Sequence, residues 1–238
     1  VSPLGGDSVT VSGQPVATFA SKNVGDSIAV TLSGLGLSGG GSNNYIFTIP
    51  ELQASITPRT LTVSGITAQD KVYDGTIAAS FSGTATLPDL VSGDAVDFDA
   101  SLLSGSFRDK NVGDSKLVTV EGGGLSGTDA GNYLLQLPGS LTASITPKPL
   151  SITGISAADR AYDGTTTVSV SGGTLEGMID GDAVQLSAAG ATGTLSDPDA
   201  GDNKPVTVTG FSVTGADFTN YSRQYSAAPA GDKRRSGR

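Results

Sequence analysis

The chain has 238 residues and contains neither cysteine nor histidine, which excludes Ser-His and Cys-His nucleophiles and the usual nitrogen and sulfur ligands of zinc, copper and haem. Its 14 basic and 23 acidic residues give a net charge of −9, and without the five basic residues of the last sixteen positions the sum for residues 1–222 is 9 − 22 = −13. This charge disfavours nucleic acids and anionic membrane surfaces as partners.

Apolar residues make up 37% of the chain and charged residues 16%, a balance that favours a folded protein over a charged disordered one. We find no apolar run long enough to cross a bilayer and no leader pattern, so membrane insertion is not predicted. Because position 1 is Val and the single Met is Met178, we expect an internal or C-terminal piece of a longer protein. The absence of cysteine fits export through an oxidising space.

The first predicted module covers residues 1–58 and corresponds to the C-terminal part of a repeat. It carries three landmarks in order: the block Lys-Asn-Val-Gly-Asp at 22–26, the pair Asn44 and Tyr45, and the segment Ser-Ile-Thr-Pro at 55–58. All three recur later at a constant spacing, which is the signature of a tandem-repeat architecture.

The second predicted module, 59–147, is complete. Its first landmark is a Tyr-Asp-Gly-Thr block formed by Tyr73, Asp74, Gly75 and Thr76. The Lys-Asn-Val-Gly-Asp block and the Asn-Tyr pair (Asn132 and Tyr133) return 88 positions after their first occurrence, and Ser-Ile-Thr-Pro returns after 89. A one-residue difference between repeats predicts a turn at the site of the insertion.

The third predicted module, 148–225, repeats the Tyr-Asp-Gly-Thr block at Tyr162, Asp163 and Gly164 and the Asn-Tyr pair at Asn220 and Tyr221. Its version of the middle block is degenerate, and the final Ser-Ile-Thr-Pro segment is missing. We therefore expect this module to lack its last strand and residues 226–238 to form a disordered tail.

The local patterns within a module are those of β-strands. Apolar residues alternate with Thr and Ser in runs such as 117–120 and 141–145, and clusters of Gly, Asp, Asn and Pro separate the runs. Six or seven short strands per unit predict an all-β fold of tandem small β-sandwich modules of the immunoglobulin-like kind, each about 88–89 residues long. A β-grasp-like module is the alternative.

The Tyr-Asp-Gly-Thr block has a structural and a functional interpretation. In the structural one, Asp74 and Asp163 cap a tight turn, the following Gly supplies a positive φ, and the preceding tyrosine (Tyr73 or Tyr162) packs over the core. In the functional one, the tyrosines form a platform for a ligand. We favour the structural interpretation, and we interpret the Asn-Tyr pairs as loop residues that open a late strand.

Neither a catalytic site nor a cofactor or metal site is predicted. The Gly-Asp pairs are typical of turns, and bound calcium is a distant second interpretation, because Asp97 and Asp99 are replaced by Gln185 and Ser187 in the next module. The few glutamates have no carboxylate counterpart in a neighbouring module, which argues against a glycosidase pair. We therefore predict that the chain is not an enzyme.

The ordered combination of Ser-Ile-Thr-Pro, Tyr-Asp-Gly-Thr, Asn-Val-Gly-Asp and Asn-Tyr resembles the YDG-type repeats of bacterial filamentous-haemagglutinin-like adhesins. The resemblance implies a secreted, outer-membrane-associated protein of the bacterial cell surface that takes part in attachment or biofilm formation. It also implies that these modules form a structural stalk whose partners are neighbouring modules of the same chain. The alternative is that the modules bind a host or matrix glycan or protein through loop residues.

Overall fold

The computed structural model describes residues 3–139 and 141–225, which are built almost entirely of short strands and turns. Twenty-two strands and four single-turn 3-10 helices occur in these residues, and no α-helix occurs among them. The all-β class predicted from the alternating sequence pattern is confirmed. In the same residues there is also no helix of the length and hydrophobicity that a membrane span requires.

The strands are short because Gly, Pro, Asn and Asp interrupt the sequence at close intervals. In chain order they are β1 (Thr10–Phe19), β2 (Gly25–Ser38), β3 (Leu52–Ile56), β4 (Arg59–Thr62), β5 (Ser64–Ala68), β6 (Lys71–Val72), β7 (Ala78–Ala79), β8 (Phe81–Thr86), β9 (Asp97–Phe98), β10 (Ser104–Phe107), β11 (Gly113–Glu121), β12 (Leu125–Ser126), β13 (Tyr133–Gln136), β14 (Leu141–Thr146), β15 (Lys148–Ala157), β16 (Thr167–Val168), β17 (Val170–Glu176), β18 (Gln185–Ser187), β19 (Thr192–Leu195), β20 (Val206–Thr209), β21 (Ser212–Thr214) and β22 (Tyr221–Tyr225). The 3-10 helices are Ser42–Asn44, Ala100–Leu102, Ala130–Asn132 and Phe218–Asn220.

The chain forms two compact units, and the second predicted module contributes residues to both. Within the described residues, the first unit consists of 3–65, 84–103 and 122–138. The second unit consists of 66–83, 104–121, 139 and 141–225.

The first unit contains an antiparallel sheet in the order β1-β2-β3 and two further strand pairs. Strand β13 lies parallel to β4, and β12 lies antiparallel to β9. The inward side chains alternate along β4 and beyond, since Leu61 and Val63 are buried while Thr60 is exposed. This is the period-two pattern expected of a strand with one buried face.

The second unit contains a five-stranded sheet in the order β6-β14-β11-β10-β7, two three-stranded sheets in the orders β17-β15-β22 and β16-β19-β20, and the pair β18-β21. Its hydrophobic core is continuous and draws on residues from both the second and the third predicted modules. The buried members are Tyr73, Phe107, Val118, Ala143, Ile145, Leu150, Val184, Val213 and Tyr221.

The sheets are mixed, because three strand pairs are parallel: β4 with β13, β6 with β14, and β15 with β22. Immunoglobulin-like sandwiches are built from antiparallel sheets, so this pairing does not establish the predicted sandwich, which stays a prediction. The module boundaries at 58 and 147 also stay a prediction. The predicted tail, 226–238, lies outside the described residues.

Candidate functional site

Asp182 is the centre of a polar cluster in the second unit. Asp182 lies in the turn 179–182, which is closed by a hydrogen bond from the backbone N–H of Asp182 to the carbonyl of Ile179 at 3.2 Å. The Asp182 side chain is only 2% exposed. One carboxylate oxygen accepts a hydrogen bond from Lys110 Nζ at 2.7 Å. The other accepts from the hydroxyls of Tyr73 at 2.8 Å and Tyr221 at 2.6 Å. Three donors therefore satisfy one buried carboxylate.

The charges in this cluster stabilise one another. Burial by itself would raise the pKa of Asp182, but the hydrogen bonds from Lys110, Tyr221 and Tyr73 outweigh it and hold the pKa below its usual value. The contact with Asp182 raises the pKa of Lys110. Burial, reinforced by the hydrogen bond to Asp182, raises the pKa of Tyr221 to about 12. At neutral pH the cluster therefore holds an ion pair of Lys110 and Asp182, and the two tyrosine hydroxyls that contact it are neutral.

The two tyrosines also pack against each other. Their ring centroids are 5.5 Å apart and the ring planes meet at 75°, which is the edge-to-face geometry that aromatic pairs prefer. Lys110 Nζ lies 5.8 Å from the centroid of the Tyr73 ring, within the range of a cation–π contact. Because Tyr73 and Tyr221 are both buried, the two tyrosine rings of the cluster are part of the hydrophobic core.

Asn220 makes a second set of contacts beside the ion pair. It ends the 3-10 helix Phe218–Asn220 and is 2% exposed. Its Oδ1 accepts a hydrogen bond from the backbone N–H of Val112 at 2.9 Å, and its Nδ2 donates to Asn111 Oδ1 at 3.2 Å. Asn220 thus satisfies a backbone group of the loop that carries Lys110. We call the set Tyr73, Lys110, Asn111, Val112, Asp182, Asn220 and Tyr221 the second junction cluster.

The first unit contains the corresponding contacts of the lysine, the aspartate and the Asn-Tyr pair. Lys22 Nζ lies 2.9 Å from Asp94 Oδ1, and Tyr133 donates its hydroxyl to Asp94 Oδ2 at 2.7 Å. The Oδ1 atom of Asn132 accepts from the backbone N–H of Val24 at 2.8 Å. Its Nδ2 donates to the side chain of the preceding asparagine of that loop, at 3.2 Å. We call the set Lys22, Asn23, Val24, Asp94, Asn132 and Tyr133 the first junction cluster.

The sequence separations in the two clusters are identical. Lysine and aspartate are 72 positions apart in both, and the valine and asparagine are 108 apart in both. A second acidic side chain also recurs in each cluster: Asp129 lies 2.9 Å from Lys22 and Asp217 lies 3.4 Å from Lys110. In each cluster the lysine loop belongs to one predicted module, and the aspartate and the Asn-Tyr pair belong to the next. Tyr73 belongs to the same predicted module as Lys110.

The two predicted tyrosine turns have the same local geometry and different surroundings. The carboxylates of Asp74 and Asp163 each accept a hydrogen bond from the backbone N–H two residues later at 2.9 Å, and Gly75 and Gly164 have φ of 78° and 76°. Tyr73 is 1% exposed in the second junction cluster, whereas Tyr162 is 69% exposed. The structure therefore brings only the first of these tyrosines into a cluster.

The three predicted Asn-Tyr pairs divide in the same way. The pairs at 132–133 and 220–221 lie in the junction clusters, whereas Asn44 is exposed. Tyr45 is half-buried, donates its hydroxyl to Asp7 Oδ2 at 2.9 Å and accepts the backbone N–H of Leu4 at 2.7 Å.

Sequence reasoning missed the roles of Lys110 and Asp182, which it treated as a repeat landmark and a turn residue. The usable signal was that the lysine, the aspartate and the Asn-Tyr pair all recur at the same spacing. No group of three or more potential metal-ligating side chains occurs in residues 3–139 and 141–225.

The fold and the two clusters define a tandem-repeat β protein in which each repeat is joined to the next by the same side-chain contacts. A family model described as the YDG domain matches residues 1–54, 57–142 and 146–228. The chain therefore belongs to the YDG domain family. No curated protein and no solved structure matches it.

Proposed function

We propose that this chain is a spacer segment of a secreted bacterial surface adhesin of the filamentous-haemagglutinin-like kind, projecting a binding region for attachment or biofilm formation. The observation that carries the proposal is the recurrence of the junction cluster, with lysine and aspartate 72 positions apart in both copies. Because successive repeats are joined by the same contacts, further repeats can be added in series with the same contact residues.

The physical basis is the nearest-neighbour character of repeat proteins. Each repeat buries surface mainly against its neighbours, and the same interface terms recur along the chain. In the second unit this coupling includes core residues, because Tyr73 and Phe107 pack in one core with Leu150 and Val184 of the following repeat. A joint that is both apolar and ion-paired resists bending and slippage better than a flexible linker does.

The finer parts of the proposal concern the fold of each module and the expectation that the chain neither catalyses a reaction nor binds a cofactor. We propose small immunoglobulin-like sandwiches, with a β-grasp-like arrangement as the alternative, and a structural role without catalysis or a bound cofactor. The acidic charge of residues 1–222, 9 − 22 = −13, supports such a role because like charge keeps a long repetitive protein soluble and self-repelling.

A second candidate function is ligand binding by the modules themselves. Tyr162 is 69% exposed and borders a cleft of about 510 Å³ that is also lined by Arg160, Leu195 and Lys204. An exposed aromatic side chain beside a cleft is a common feature of glycan and protein sites. Here a glycan or host protein would contact the third repeat only, because Tyr73 is buried.

Replacement of the repeats in the parent protein separates the two candidates. Residues 1–225 would be exchanged for an unrelated β-repeat segment of equal length, and bacterial attachment would be measured beside deletion of the same residues. A spacer predicts that attachment is lost on deletion and restored by the replacement. Loss of attachment in both strains, together with a glycan-array signal that Tyr162→Ala abolishes, would contradict the spacer and favour binding by the modules.

A further inference from the structure

The first repeat presents one side of a junction cluster. The hydroxyl of Tyr45 donates to Asp7 and accepts the N–H of Leu4, just as the hydroxyl of Tyr133 donates to Asp94 and accepts the N–H of Val91 three positions before it. The N–H of Asp7 also closes the same turn as that of Asp94, by donating to the carbonyl three positions earlier at 3.0 Å and 3.1 Å.

The same three-residue arrangement is present in the third repeat. Tyr221 donates to Asp182 and accepts the N–H of Ile179, at 2.6 Å and 2.9 Å. In the second and third repeats this arrangement, together with the asparagine that precedes the tyrosine, contacts a Lys-Asn-Val block from the repeat before it. In the first repeat the corresponding asparagine, Asn44, is exposed.

We infer that Asp7, Asn44 and Tyr45 form an acceptor site for the Lys-Asn-Val-Gly-Asp block of another YDG repeat. The block's lysine pairs with the Asp7 carboxylate, and the backbone N–H of its valine donates to the Asn44 side chain. Both contacts occur in each of the two junction clusters. The inference rests on the proposed role of the clusters in joining repeats.

This acceptor site differs from the other two in one respect. Asp129 and Asp217, which supply a second carboxylate to the lysine, are matched by Gly41 in the first repeat. A lysine bound here therefore meets one carboxylate instead of two. We expect an association that is weaker and more sensitive to salt than the intramolecular clusters.

The third repeat does not supply a matching block, although it keeps the loop that would carry one. The carboxylate of Asp197 accepts the backbone N–H of Asp199 at 3.0 Å, as Asp109 accepts that of Asn111 at 2.9 Å. Lys204 pairs with Asp197 as Lys116 pairs with Asp109.

The contact residues of this loop have changed. The lysine, asparagine and valine of the block are replaced by Pro198, Asp199 and Ala200. Pro198 stands at the position of the block's lysine, so this loop offers no cation to pair with Asp7 of another copy. The third repeat therefore lacks the donor side of a junction cluster.

The test restores the block in the full chain with Pro198→Lys, Asp199→Asn and Ala200→Val. All three positions are exposed, and melting followed by circular dichroism would verify that the variant keeps its fold. A second variant with fewer changes carries Pro198→Lys and Asp199→Asn. Sedimentation equilibrium would then be compared for the unchanged chain and the variants at low salt. We expect the unchanged chain to stay at its monomer mass, 23.6 kDa, and the restored chain to rise toward multiples of it as concentration increases.

Two further variants identify the contact. Adding Asp7→Asn and Asn44→Ala to the restored chain should return its mass to that of the monomer, and raised salt should do the same. A folded restored chain that remains monomeric, or that associates equally well without Asp7 and Asn44, would overturn the inference. That result would leave the spacer proposal intact, because attachment by the parent protein with exchanged repeats does not depend on association between separate chains.

Discussion

Asn220 shows at the scale of one residue how a repeat recognises its predecessor. Its side chain is 2% exposed and supplies the acceptor for the Val112 N–H, so Asn220→Ala leaves a buried backbone donor without a partner. We expect a loss of about 1–3 kcal/mol in the free energy of unfolding, measured by urea denaturation. Asn44→Ala is the matched control, since it changes the same motif position at an exposed site and should cost less than about 0.5 kcal/mol. Equal effects of the two substitutions would contradict this role of Asn220.

Asp182→Asn tests the ion pair at the centre of the second junction cluster. The side chain keeps its size but loses its charge, which leaves Lys110 paired with the more distant carboxylate of Asp217. Removal of one member of a buried pair is costly, but the Lys110 side chain is 37% exposed and water can solvate it in part. We therefore expect a loss of about 2 kcal/mol by urea denaturation. The exposed neighbour Asp180→Asn should be nearly neutral, and a similar loss there would contradict the assignment.

The same variant predicts how stability depends on pH. Because the pKa of Asp182 is lowered in the folded state, its contribution is fully present above the unfolded pKa of about 3.9 and is lost as pH falls through the folded value. The difference in unfolding free energy between the unchanged chain and Asp182→Asn should thus be constant from about pH 5 to pH 9 and shrink as the pH falls below the unfolded pKa. A difference that persists at low pH would show that the charge is not its cause.

Residue by residue, the sequence predicted which side chains recur but not which of them meet. The turn geometry of Asp74 follows from local chemistry, since its hydrogen bond reaches only two positions along the chain. The partner of Tyr73 lies 109 positions away. No local pattern encodes that contact, and a constant spacing of 88 is equally compatible with repeats that never touch.

Gly127 shows that the chain directly after strand β12 requires a residue without a side chain. It follows β12, has φ of 110°, and a Cβ at this position would lie 2.3 Å from the carbonyl oxygen of Ala95. Two residues later, the carboxylate of Asp129 accepts the N–H of Ala95 at 3.0 Å. Close approach of these two segments therefore depends on the absence of a side chain, and the counterparts Gly39 and Gly215 show the same positive φ and the same close carbonyl.

Gly127→Ala should destabilise the chain by more than about 1 kcal/mol, because it combines an unfavourable φ with a clash against backbone. The control is Gly131→Ala in the same loop, where nothing lies within 4 Å of the added Cβ and φ is not positive. Thermal melting of the two variants gives the comparison. If Gly127→Ala melts with Gly131→Ala at the temperature of the unchanged chain, the close approach is not required.

The alternation of apolar and polar residues in the sequence predicts where the strands are better than it predicts which strands pair. The alternation of Ala143 and Ile145 identifies the buried face of β14, and both side chains are buried as expected. The parallel pairing of β14 with β6 was not predictable in this way. Alternation specifies which face of a strand is apolar and leaves open which strand lies beside it.

For the whole molecule, the repeat in the sequence and the compact unit in the structure differ in phase. The sequence repeats from 59 to 147, but residues 66–83 and 104–121 cluster with residues of the following repeat, and 84–103 and 122–138 cluster with residues of the preceding one. A spacing argument locates the period and cannot locate where one unit begins, because any starting point gives the same period.

This difference in phase predicts that position 147 is not a folding boundary. Truncation after residue 147 removes Leu150, Val184, Val213 and Tyr221 from the core that contains Phe107. If the truncation removes the burial of two such side chains, at about 1.5 kcal/mol each, the equilibrium constant for local unfolding rises by more than about 100-fold. Hydrogen exchange measured by mass spectrometry should therefore show lost protection in residues 104–121 of the truncated chain.

Residues of the first unit provide the internal control for that truncation, since the first junction cluster keeps all of its members. Protection in the peptides from β2, β4 and β13 should match that of the full chain. If 104–121 is protected as well as β4 and β13 in the truncated chain, the predicted second module folds alone. The junction clusters would then only connect finished modules, whereas loss confined to the second unit means that each repeat completes the core of the one before it.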